Sequence, residues 1–127
     1  VDDDTTNLIV LEALMKTLSI PTEAASSGPA ALKKIKARAS SSSCCNRYKF
    51  ILMDYEMPKM TGPETTHELM TLYNNDVIPY PVVIGHTAYS GEEEVMEFKD
   101  SGAREVIFKP TDRKELHRIT TIYGCRH

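Results

Sequence analysis

The chain of 127 residues is 41% hydrophobic and 26% charged, a size and composition that suit one domain over residues 1–127 with a single core. A formal net charge of −3 gives no basic footprint for a phosphate backbone, so direct nucleic-acid binding is not expected. The apolar runs at 50–53 and 82–84 are too short to span a bilayer, and no signal-like stretch opens the sequence, so no membrane contact is expected. The three cysteines, Cys44 and Cys45 adjacent among them, have neither ligand spacing nor a paired framework; they read as reduced thiols of a cytoplasmic protein.

The chain opens on the end of a strand and enters a helix. Leu8, Leu11, Met15 and Leu18 recur at helical spacing, with Thr5, Thr6 and Asn7 as candidate caps and Pro21 as a stop. A short strand is expected around 22–25, and Gly28-Pro29 starts a second helix carrying Ala31, Leu32 and Ile35. Residues 39–47 are Ser-rich and patternless, a surface loop longer than a compact domain requires.

Lys49-Phe50-Ile51-Leu52-Met53-Asp54 is an apolar run ending in a carboxylate, as expected of a strand covered on both faces. Pro81-Val82-Val83-Ile84 and Glu105-Val106-Ile107-Phe108 repeat the pattern, with helical segments at 63–73 and 91–100 between them. A last helix begins near Thr111 and carries Leu116, Ile119 and Tyr123 on one face. Strands alternating with helices predict an α/β fold, a doubly wound parallel sheet with helices on both faces. In such sheets ligands bind beyond the carboxyl ends of the strands, which here carry Asp2, Asp3, Asp54, Thr87 and Lys109.

Three carboxylates, a hydroxyl and an amine at one sheet edge need something to balance the repulsion among the acids. A hard divalent cation does so: magnesium prefers oxygen ligands, takes one or two carboxylates and keeps room for water or phosphate oxygens. Asp54 is then placed to act as nucleophile toward phosphorus while the metal and Lys109 neutralise the transferring group. Taken singly, each residue has a plainer reading. Asp54 is a solvated strand end, the acidic run an N-terminal fringe, Thr87 a strand-end hydroxyl and Lys109 a snorkelling amine. The Asp2-Asp3-Asp4 run leaves the register open by one residue, and Asn7 favours Asp2 and Asp3 as the pair. His67, His86, His117 and His127 share no ligand spacing and read as surface or structural residues.

Val1-Asp2-Asp3-Asp4-Thr5-Thr6-Asn7, Met53-Asp54-Tyr55-Glu56-Met57-Pro58-Lys59-Met60-Thr61-Gly62, His86-Thr87-Ala88 and Phe108-Lys109-Pro110 together resemble response-regulator receiver domains of two-component phosphorelays, including the receivers of hybrid histidine kinases. The resemblance spans essentially the whole chain. It implies a flavodoxin-like five-stranded sheet of order 2-1-3-4-5. It implies that Asp54 is the phosphoacceptor and that magnesium (manganese as an alternative) is held by Asp3, Asp54 and the backbone carbonyl of Glu56, with Asp2 helping through water. Thr87 and Lys109 would contact the phosphoryl oxygens, and Pro110 would follow a cis peptide bond. The phosphoryl donor would be a histidine kinase or histidine phosphotransfer protein. The face built from the fourth helix, fifth strand and fifth helix would carry the signal and could pair two copies. Such a domain is an acceptor with slow self-dephosphorylation rather than an enzyme, and Glu56 and Tyr89 would flank the path of attacking water.

Three departures from the family pattern stand out. Few residues precede the acidic pair, so most of the first strand is missing and the segment reads as truncated. Val106 occupies the usual aromatic switch position. Gly85 replaces a branched strand residue and is expected to loosen that strand. Two other readings compete. A degenerate receiver would serve as a docking module without phosphorylation. Asp2-Asp3-Asp4-Thr5-Thr6 also resembles haloacid-dehalogenase-type phosphatases, which would make Asp2 the nucleophile, but a late acidic pair is missing after Lys109, where only Asp112 stands nearby.

Overall fold

A computed structural model describes residues 1–39, 48–88 and 91–124. The expected Ser-rich loop, apart from Ala39, lies outside these residues, as do Cys44, Cys45, Tyr89 and His127.

Asp4 accepts hydrogen bonds from the amides of Thr6 (2.9 Å) and Asn7 (3.4 Å) and thereby caps helix α1 (Thr5–Thr17). The cap falls one residue before the threonines expected in that role. The helix closes at Leu18 and the chain turns through Ser19, at φ 60°, ahead of Pro21. Ser27 Oγ accepts the Ala30 amide at 3.2 Å at the start of α2 (Gly28–Ala39). The next elements are β1 (Ile51–Asp54), α3 (Gly62–Asn74), β2 (Val83–Thr87), α4 (Glu92–Ser101), β3 (Glu105–Phe108) and α5 (Arg113–Ile119), the last running into a π-helical turn, Thr120–Gly124. Thr61 and Glu64 form a reciprocal capping box at α3, with Pro63 in its first turn. Asp112 caps α5 by accepting the Glu115 amide at 2.9 Å. Each expected helix is present.

The three strands form a parallel sheet of order β1-β2-β3, pairing Asp54 with His86 and Thr87 with Phe108. The two further strands expected before them are not formed as strands. Their positions in the sheet are nevertheless occupied. The Val1 nitrogen donates to Leu52 O (2.5 Å), Asp54 N donates to Val1 O (2.9 Å) and Asp2 N donates to Ala25 O (3.1 Å). Backbone therefore runs in the order Ala25, Val1-Asp2, β1, β2, β3, which is the 2-1-3-4-5 order with its first two members too briefly paired to ladder.

Alternation along the strands feeds two cores, one on each face of the sheet. Ile51, Met53 and Val83 pack with Ile35, Leu69 and Phe98 from α2, α3 and α4. Ile84 and Ile107 pack with Ile119 of α5, flanked by Phe50, Leu52 and Tyr123. Helices thus cover both faces, and the fold is the flavodoxin-like α/β arrangement. The packing expected to be missing at Gly85 is supplied from α4. A Cβ at this position would lie 2.8 Å from the Phe98 ring, so the aromatic side chain takes the room a branched residue would have filled, and every residue of β2 is buried. Val106 is half-buried against the same cluster.

Candidate functional site

The consecutive acids at the start of the chain have three different fates. Asp2 is 1% exposed and points into the sheet edge, Asp3 is exposed, and Asp4 is committed to the α1 cap. Asp54, at the end of β1, is 7% exposed. One carboxylate oxygen from each of Asp2, Asp3 and Asp54 can be chosen so that all lie within 4.8 Å of one another. Asp2 and Asp3 thus join Asp54 in the cluster, while Asp4 is taken up by the helix cap.

Lys109, in the turn after β3, sits between two of these acids. Its Nζ is 3.0 Å from Asp2 Oδ2 and 2.9 Å from Asp54 Oδ1. Asp2 Oδ1 also accepts the Asp4 amide at 2.9 Å, and its Oδ2 accepts Asn7 Nδ2 at 3.4 Å. Asp54 Oδ1 accepts the Tyr55 amide at 3.0 Å. Burial pushes the Asp54 carboxyl above its ordinary range; Lys109 pulls the other way, and the neighbouring Asp2 charge adds to the rise. Burial acts on Asp2 in the same sense, but the Asp4 amide, Lys109 and Asn7 outweigh it and hold Asp2 below the ordinary range. Lys109 loses solvation too, and its bonds to Asp54 and Asp2 more than restore its affinity for the proton. The pair of acids is thus polarised, with the more proton-hungry oxygen on Asp54.

The loop after Asp54 folds back onto it. Gly62 N donates to Tyr55 O at 2.8 Å, and a Cβ on Gly62 would stand 2.0 Å from the Asp54 carbonyl oxygen. Only glycine permits that approach, which gives the Gly62 of the sequence motif its physical reason. Met57 is buried beneath the loop, and Glu56, two residues past Asp54, is exposed. Thr87 ends β2, fully buried, and its carbonyl accepts the Lys109 amide at 2.8 Å. The Lys109–Pro110 bond is cis, as the resemblance implies.

Asp2, Asp3, Asp54 and Lys109 come together at this edge of the sheet, and Thr87 ends the adjacent strand there. The residue that sequence reasoning left among the structural histidines is His86: it is buried beside Thr87, and its Nε2 shares a hydrogen bond with Thr111 Oγ1. His67 and His117 are exposed. Oxygen-only donors clustered this closely fit a hard divalent cation, with the Lys109 ammonium as the resident countercharge.

A family model for the response regulator receiver domain matches residues 1–121. The chain belongs to this family. The receiver is 33% identical over 117 residues to the autoinducer 2 sensor kinase/phosphatase LuxQ of Vibrio vulnificus (strain YJ016), a match covering 92% of this chain and 12% of LuxQ. It is 25% identical, with a TM-score of 0.76, to the receiver domain of sensor histidine kinase PA1611 from Pseudomonas aeruginosa PAO1, covering 98% of this chain and 94% of that one. That structure has a magnesium ion coordinated in its active-site cleft. The CheX-CheY-BeF3-Mg complex of Borrelia burgdorferi matches at 26% identity and a TM-score of 0.77, covering 96% of this chain and 84% of its counterpart. The protein is thus a receiver domain of two-component signalling, and the family sets aside the haloacid-dehalogenase reading. Among the described residues no helix is long and apolar enough to cross a membrane.

Proposed function

We propose that this receiver takes a phosphoryl group from a phosphohistidine onto Asp54 and changes its partner interactions in response. The observation that carries the reading is Lys109 Nζ placed 2.9 Å from Asp54 Oδ1 and 3.0 Å from Asp2 Oδ2, beside a three-carboxylate cluster. Magnesium, held by Asp3, Asp54 and the Glu56 carbonyl with Asp2 through water, would supply positive charge for the phosphoryl oxygens; manganese could replace it.

The chain's own groups do the rest. An Asp54 carboxylate oxygen forms the new O–P bond as the donor's P–N bond breaks; its electron pair returns to a ring already protonated on the other nitrogen, leaving an acyl phosphate and a neutral imidazole. Lys109 exchanges its bond to Asp54 for one to a phosphoryl oxygen, so its charge stays compensated throughout. The Thr87 hydroxyl donates to a second oxygen. Water later removes the group slowly, which makes the domain an acceptor rather than a turnover enzyme.

The donor is a histidine kinase or histidine phosphotransfer protein, met in the cytoplasm by a single domain spanning residues 1–127. Met96 on α4 and Phe108 on β3 are 59% and 43% exposed and support the α4–β3–α5 face as the surface for partner exchange or homodimer contact. Transfer of radiolabelled phosphate from a phosphorylated phosphotransfer protein tests this function. The reading expects label on the receiver with magnesium and none after chelation; label that ignores chelation contradicts it.

A further inference from the structure

Lys109 reaches Asp54 on a flexible four-carbon stem, so where its amine sits depends on how firmly its backbone is held. Two consecutive residues of β2 hold that turn. The Thr87 carbonyl accepts the Lys109 amide at 2.8 Å, and the His86 imidazole bonds through Nε2 to the hydroxyl of Thr111, two residues past Lys109. Thr111 is followed by Asp112, the cap of α5. His86 itself is fixed from both sides, its Cα paired with Asp54 across one ladder and with Ile107 across the other, and it is 4% exposed.

Building on the proposed acceptor chemistry, we infer that His86 is a positioning residue whose hydrogen bond to Thr111 clamps the 109–112 turn onto β2 and so sets where the Lys109 amine meets Asp54. The Thr87 bond holds the turn at the Lys109 amide, and the His86 bond holds it again two residues on, before Arg113 ties the following helix to Thr17. An imidazole is costly to bury unless its polar atoms are bonded, so an apolar residue would serve this position better if filling space were the whole task. Burial also brings the imidazole down to about 4, which keeps it neutral and avoids a second cation beside Lys109. Geometry errors of about 1 Å can cost on the order of a hundredfold in rate, so even a partial loss of the clamp is measurable.

The test compares His86→Leu, which keeps volume and loses the bond, with His86→Gln, which keeps a polar group to meet Thr111, and with Thr111→Val. Phosphorylation of Asp54 by a small phosphodonor is measured per folded molecule, and the Lys109 15Nζ resonance is recorded without metal or donor. His86→Leu and Thr111→Val should each slow labelling by about tenfold and shift the Lys109 signal, and combining them should add little. His86→Gln should stay within about twofold of the parent protein. An unmoved Lys109 signal in His86→Leu, independent losses in the double variant, or a Gln variant as slow as Leu would overturn the clamp. Because the Lys109 resonance needs no phosphodonor, failure of Asp54 to take label in the parent protein counts against the acceptor reading alone.

Discussion

Phe98 of α4 lies against the Cα of Gly85 in β2, with a Cβ on Gly85 destined to fall 2.8 Å from the ring. Helix and strand are therefore matched as small against large, and Phe98 is 0% exposed as a result. Gly85→Ala should destabilise the fold by about 1–3 kcal/mol through overpacking. In a Phe98→Leu background the same change should cost clearly less. Urea unfolding of the four proteins of this cycle checks the coupling, and additive losses would show that the two residues do not share the space.

Lys109 compensates two largely buried acids, so its removal should be felt before any phosphoryl group arrives. Lys109→Met is expected to lower magnesium-free stability near pH 7 by on the order of 2 kcal/mol, since it leaves Asp2 and Asp54 facing each other. Added magnesium should then stabilise the variant more than the parent protein. Denaturant midpoints with and without the metal measure both effects; an equal magnesium increment in the two proteins would contradict the idea that amine and metal answer the same charge.

His86 gives the acid limb of the stability curve a defined sign. Burial, with the Lys109 charge adding to it, lowers the imidazole from its ordinary 6.5 to about 4 in the folded chain. Between those values the unfolded chain binds a proton that the folded one does not, so stability is fully present above about 6.5 and declines as pH falls toward 4. The single group accounts for up to about 3 kcal/mol across that window. His86→Gln lacks the titrating group and should show a shallower decline between pH 7 and 4.5. Parallel curves for the two proteins would place the acid sensitivity elsewhere.

Tyr55, next to Asp54, bonds through its hydroxyl to Glu97 of α4 at 2.5 Å and packs edge-on against Phe98 at 5.8 Å between centroids. These two roles separate by substitution. Tyr55→Phe should cost less than about 1 kcal/mol, because it loses one exposed hydrogen bond. Tyr55→Ala should cost clearly more, because the ring contact goes as well. Equal stabilities for the two variants would mean that the ring contributes nothing.

Local signals carried most of the architecture. The run from Lys49 to Asp54 announced a strand buried on both faces, and Gly28-Pro29 and Pro63 marked helix starts that the structure keeps. Asp54, Thr87 and Lys109 could be placed at one edge from the sequence because each ends a strand or begins the turn beyond one. What failed to show was tertiary. The segment at 22–25 looks extended in sequence, yet it forms no strand, since Ala25 O meets only the brief Val1-Asp2 backbone. Gly85 reads as a weakness until Phe98, distant in sequence, is seen covering it. His86 is indistinguishable from the other histidines until the α5 turn brings Thr111 against it. The roles of Asp2, Asp3 and Asp4 were separable in principle, because Asp4 alone stands directly before the helical run, where a cap belongs.

The central claim is that Asp54 is the acceptor. Peptide mass spectrometry after incubation with magnesium and a small phosphodonor, with the adduct trapped before hydrolysis, tests it most directly. A phosphate adduct is expected on the Asp54 peptide, absent without magnesium and absent in Asp54→Asn. An adduct on Asp2, undiminished labelling in Asp54→Asn, or no adduct on a protein shown to be folded would contradict it.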